Sequence, residues 1–133
     1  MDEVSLYVEV EVNPTESEER VKRAFENVFG SLLVEIKPLR KGKLLAVTAA
    51  GTEALSTLRN LLRRERIRDA ARKTLFEGID GKTVSFCLNK QVACAGHISF
   101  SKDVAESPLG PIRVKMTCEN PRRIIDWLTS KDF

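Results

Sequence analysis

Val4-Ser5-Leu6-Tyr7-Val8-Glu9-Val10-Glu11-Val12-Asn13-Pro14-Thr15-Glu16-Ser17-Glu18 is the stretch on which the fold turns. Val4, Leu6, Val8, Val10 and Val12 alternate with Ser5, Tyr7, Glu9 and Glu11, the period of two that marks a strand with one apolar face. Asn13-Pro14 ends the strand, and Thr15-x-x-Glu18 has the spacing of a capping box that opens a helix over about residues 16–29. Val21, Ala24, Phe25, Val28 and Phe29 recur at helical spacing, and Gly30 supplies a left-handed stop.

Working outward, Leu32, Val34 and Ile36 predict a strand over about 32–37, and Leu44 to Ala49 one over about 44–49. Arg40-Lys41-Gly42-Lys43 between them reads as a basic hairpin tip. Thr52 is placed as the N-cap of a helical region over about 53–77. Within it Ala54, Leu55, Leu58, Leu61 and Leu62 make one apolar stripe, and Ile67, Ala70, Ala71, Thr74 and Leu75 another, about half a turn apart on a continuous helix. Either the helix breaks near Arg63–Arg66, or one long helix buries opposite faces against different partners.

Gly78 closes this region and Asp80-Gly81 turns the chain. Further strands are expected over about 83–89, 92–99 and 112–117, with Asn89-Lys90-Gln91 as a hairpin connection between the first two. Residues 103–111 form a loop rich in turn formers, in which Ser107-Pro108-Leu109-Gly110 fits a β-turn. Asn120-Pro121 starts a last helix over about 121–129. The order β-α-β-β-α-α-β-β-β-α implies a two-layer α+β fold, a mixed or antiparallel sheet with helices on one face. The 133 residues suit a single domain, 1–133, and no period of 20–50 residues repeats through them.

Composition excludes several classes. No apolar run approaches the roughly 20 residues of a membrane span, and the acidic Met1-Asp2-Glu3 start is unlike a signal peptide, so a cytoplasmic protein is expected. The three cysteines, Cys87, Cys94 and Cys118, form no CxxC pair, and His97 is the single histidine, so neither a metal site nor a cofactor is expected. Nucleophile elbow, Walker loop and dinucleotide fingerprint are all missing, which points away from an enzyme. Six Phe, one Tyr and one Trp, with most Phe on core-patterned positions, leave little for a base-stacking platform.

Charge is where the sequence speaks most directly. Residues 1–30 hold eight acids and three bases; residues 31–133 hold eleven acids and nineteen bases. Seven of the fifteen residues from Arg59 to Lys73 are basic: Arg59, Arg63, Arg64, Arg66, Arg68, Arg72 and Lys73. Arginine's planar fork suits phosphate, so the expected partner is RNA, structured or double-stranded, met through phosphate and shape. Arg40, Lys41 and Lys43 extend the candidate surface, and Asn89, Lys90 and Gln91 offer further donors. The plainer reading is a solvated face, with Glu65 pairing Arg68 and Asp69 pairing Arg72 or Lys73. A homodimeric interaction module built on the helical region is the contrasting function.

Four segments together resemble a known family: Val8 to Glu16, Arg66-Ile67-Arg68-Asp69-Ala70-Ala71-Arg72, Leu88-Asn89-Lys90-Gln91 and Ser107-Pro108-Leu109-Gly110-Pro111-Ile112. They resemble an archaeal family of small uncharacterised proteins labelled RNA-binding. The resemblance implies a fold like that of the fifth protein of the large ribosomal subunit, which contacts ribosomal RNA, and implies no known activity.

Overall fold

A computed structural model describes residues 4–30, 34–51, 53–101 and 111–130. Strand β1 (Val4–Val12) sits mid-sheet, its odd and even positions sorted as the alternation requires: Val4, Leu6, Val8, Val10 and Val12 are buried, while Tyr7 and Glu9 are half-buried and Ser5 and Glu11 exposed. Helix α1 (Glu18–Phe29) follows and turns Val21, Ala24, Phe25, Val28 and Phe29 inward. Its N-cap is Ser17, which accepts from the Arg20 N–H, in place of the expected Thr15. The reason is local: Glu16 N–H donates to Asn13 O at 2.9 Å, which makes Asn13 to Glu16 a turn with Pro14 at its second position and uses Thr15 inside it.

Strands β2 (Glu35–Pro38) and β3 (Lys43–Ala50) form the expected hairpin. Gly42 closes its tip at φ +87°, and a Cβ there would stand 2.1 Å from Val12 O, so only glycine fits. Next come α2 (Glu53–Arg64), α3 (Arg68–Glu77), β4 (Ile79–Asp80), β5 (Thr83–Leu88), α4 (Lys90–Cys94), β6 (Phe100–Ser101), β7 (Ile112–Cys118) and α5 (Pro121–Leu128). The expected order holds, with the two-residue β4 and the five-residue α4 added. The sheet runs β2-β3-β1-β7-β5-β4, with β6 also on β5, and every pairing is antiparallel.

The strand expected over 92–99 is corrected. Val92 and Cys94 lie in α4, which Asn89 caps by accepting from Val92 N–H at 3.0 Å; only Phe100 and Ser101 pair with β5. Asn120 caps α5 as expected, with Pro121 at the first turn. Leu32, Thr52, the Ala54 side chain and the Ser107–Gly110 turn lie outside the described residues. One buried cluster draws on β1, α1, β3, α2, α3, β5, α4, β7 and α5.

Candidate nucleic-acid interface

The helical region breaks where the two apolar stripes lose phase. Arg66 N–H donates back to Arg63 O at 3.2 Å, and Arg66 takes φ +57°, a left-handed conformation that ends α2. After the break, Leu55, Leu58, Leu61 and Leu62 of α2 and Ala71 and Leu75 of α3 are all buried in the same core. Among the described residues of the two stripes, Ala70 is the one left exposed.

This geometry decides where the arginines go. Arg59 Nε donates to Trp127 O at 2.9 Å, and its guanidinium lies 5.2 Å from the centre of the Trp127 ring. Arg68 donates to Ser130 O at 3.3 Å. Arg72 pairs with Asp126 at 2.5 Å and covers the Phe76 ring at 4.8 Å. Three arginines therefore clasp the C-terminal end of α5, where free carbonyls and the helix dipole favour cations. Arg64 donates to Gly96 O at 2.6 Å just beyond α4. Arg63 is half-buried, and its guanidinium is held below the usual arginine value by that burial and then by the charges of Arg59 and Arg68. Arg66 and Lys73 are exposed.

The local ion pairs expected along the segment are replaced by longer-range ones. Glu65 meets His97 Nδ1 at 2.6 Å, and Arg72 takes Asp126. Charge counting over 59–73 also missed Arg122 and Arg123 on the first turn of α5, both exposed; Arg122 lies 5.6 Å from the centre of the Phe76 ring that Arg72 also approaches. The Asn120-Pro121-Arg122-Arg123 run was readable as a helix start, but its neighbourhood with α3 was not.

The remaining candidates divide. Arg40 and Lys41 are exposed at the β2–β3 tip, and Lys43 is tethered to Glu18 at 2.9 Å against α1. Asn89, Lys90 and Gln91 do not form a hairpin tip. Asn89 is a cap, and Gln91 is exposed beside a hollow of about 370 Å³ with Thr15, Ser17 and Arg20. Lys90 is buried, its Nζ donating to Glu11 O at 2.7 Å and Glu16 Oε1 at 2.9 Å. Cys87 and Cys118 are buried and in no disulfide; burial pushes the half-buried Cys94 thiol up, away from thiolate chemistry. Among the described residues no group of His, Cys, Asp or Glu is placed to hold a metal, and no helix is long and apolar enough to cross a membrane.

A family model described as RNA binding matches residues 5–118. The chain belongs to that family. A UPF0201 protein of Sulfurisphaera tokodaii is 42% identical over 128 residues, spanning 95% of this chain and 87% of its own. A UPF0201 protein of Pyrobaculum aerophilum is 40% identical over 125 residues, spanning 93% and 87%. The crystal structure of a UPF0201 protein from Methanococcus jannaschii matches with a TM-score of 0.83 at 28% identity, covering 94% of this chain and 98% of that one. Two of the segments that carry the family resemblance meet in the fold: the Asn13–Glu16 turn holds the Lys90 ammonium.

Proposed function

We propose that this chain is a non-enzymatic RNA-binding protein that grips structured RNA through Arg63, Arg64 and Arg66 at the α2–α3 break. Arg59, Arg68, Arg72 and Lys73 flank them, with Arg122 and Arg123 extending the surface. The observation that carries this is the gathering of Arg59, Arg63 and Arg68 within electrostatic reach of one another at the break, where burial first and the two neighbouring charges second lower the Arg63 guanidinium. Gathering like charge at a surface costs stability, and a polyanion relieves it. A guanidinium has five N–H donors, so a bond to one carbonyl fixes its plane without exhausting it. Phe76 and Trp127 are covered by the protein's own arginines, which favours phosphate contacts over base stacking on this face. The implied likeness to the fifth protein of the large ribosomal subunit belongs to the same reading.

With about four phosphate contacts, the logarithm of affinity for duplex RNA is expected to fall against log salt with a slope of roughly −3 to −4. Replacing Arg63, Arg64 and Arg66 together by glutamine removes most binding and leaves the circular-dichroism spectrum unchanged, because Arg59, Arg68 and Arg72 still hold α5. A triple variant that binds as tightly as the parent would overturn the reading. The homodimer alternative drew on a continuous helix with an uncovered face. Among the described residues, the large apolar side chains it still has to offer are Ile36 and Leu39, exposed at the β2 edge.

A further inference from the structure

Strands β1, β5 and β7 together with the end of α3 enclose a hollow of about 470 Å³, within the roughly 300–1,000 Å³ range of small-molecule sites. Tyr7 and Glu9 on β1, Arg113 and Lys115 on β7, Ser85 on β5 and Glu77 at the end of α3 line it. Gly78 lies against Ser85 in its lining. Ser85 N–H donates to Gly78 O at 3.0 Å, and a Cβ on Gly78 would stand 2.0 Å from Ser85 O, so α3 reaches the sheet only through a glycine.

Register sets the two signs of charge side by side. Arg113 stands opposite Glu9 on one side and Cys87 on the other; Lys115 stands between Tyr7 and Ser85. Arg113 and Lys115 lie two residues apart on one strand, on the order of 7 Å, and so on one face of the sheet. Glu9, directly opposite Arg113, and Glu77, at the negative end of a helix dipole, bring acids to the same lining. The Tyr7 hydroxyl donates to Glu9 Oε2 at 2.9 Å, so the ring extends along its own strand, half-buried. Burial, and then Glu9 as acceptor and as charge, keep that hydroxyl protonated.

A simple anion would use the cations and meet the acids as repulsion; an amine would use only the acids. A nucleotide uses both. We propose that this hollow binds a nucleoside monophosphate, free or as one residue of a single strand. Its phosphate lies on Arg113 and Lys115, its base on Tyr7, and an exocyclic amine donates to Glu9. The site is lined by the strands and the C-terminal end of α3 and uses none of the arginines proposed above.

The test is a ¹H–¹⁵N NMR titration of the full chain with AMP, GMP, CMP and UMP, inorganic phosphate, and single-stranded tetranucleotides. Saturable shifts are expected at Tyr7, Ser85, Arg113 and Lys115, with the amino-bearing nucleotides tighter than UMP or phosphate by roughly tenfold. Lys115→Gln weakens every nucleotide, whereas Tyr7→Leu removes the preference over inorganic phosphate. The shifts persist in the Arg63, Arg64, Arg66 triple variant, which separates this site from the duplex surface. Tighter binding of tetranucleotides assigns the site to a strand, and tighter binding of mononucleotides to a free ligand. No saturable shift up to roughly 10 mM, equal response to inorganic phosphate, or loss of the shifts in the triple variant overturns the proposal.

Discussion

Lys90 keeps 3% of its side chain exposed, and Glu16, its partner, 11%. Removing two charges from water costs several kcal/mol, recovered only where the pair is close and the spare donors and acceptors are met. Here they are: Nζ also donates to Glu11 O, and Glu16 Oε1 accepts from the Asn13 N–H at 3.0 Å and its Nδ2 at 2.8 Å. Burial pushes the Glu16 carboxyl up, but the Asn13 and Lys90 bonds and the Lys90 charge outweigh it and hold it below the ordinary 4.5. A carboxyl lowered on folding stabilises the fold above its unfolded pKa, and the contribution disappears as pH falls through the folded value. Glu16→Gln is therefore expected to cost about 3 kcal/mol at neutral pH, with the gap to the parent narrowing below about pH 4.5. Urea unfolding of both proteins at pH 7 and pH 3 checks it; a gap that does not change with pH would show that the pair is not what Glu16 contributes. The sequence put Lys90 on a solvent-exposed tip because burial of an ammonium requires a carboxylate 74 residues away, which no local pattern displays.

At the scale of elements, the α2–α3 break stores strain at one residue. Arg66 at φ +57° pays the steric cost of a Cβ in the left-handed region, about 1–2 kcal/mol. Glycine escapes that cost but loses more chain entropy on folding. Arg66→Gly should thus stabilise the protein by about 0.5–1 kcal/mol, whereas Arg66→Ala keeps the strain and gains nothing. Thermal unfolding of the two variants distinguishes them, and a glycine variant less stable than the alanine one would refute the strain argument. The break itself was legible: stripes half a turn out of phase cannot share one core on a straight helix. The strand expected over 92–99 shows the opposite case. Val92, Cys94, Gly96, Ile98 and Phe100 alternate, yet five residues of helix are too few to impose a 3.6 period, and the Asn89 cap outweighed the alternation. Gly96 at φ +84° then turns the chain away. The candidate site was legible as a density of arginine, but not as a division between those that clasp α5 and those that crowd at the break, because carbonyls at a helix end carry no sequence signature.

Over the whole molecule, the proposed interface and the core are mechanically joined. β1 pairs with both β3 and β7, and the helices that cover it contribute to one buried cluster. Helix α5 is fixed on one side by Ile124, Ile125 and Leu128 in that cluster, and on the other by Arg59, Arg68 and Arg72. An element held twice in this way has no low-energy route to leave alone, which would keep the cations of the α2–α3 break in a fixed array. Proteins with one shared core unfold in a single step, and 133 residues imply an enthalpy of about 90 kcal/mol near 60 °C. Trp127, the one tryptophan, reports on α5, while circular dichroism at helix wavelengths reports on every helix. The two transitions are expected to coincide, with calorimetric and van't Hoff enthalpies equal. A tryptophan transition that precedes the loss of helix would mean that α5 detaches as a unit, and that the arginines beside it are an adjustable surface.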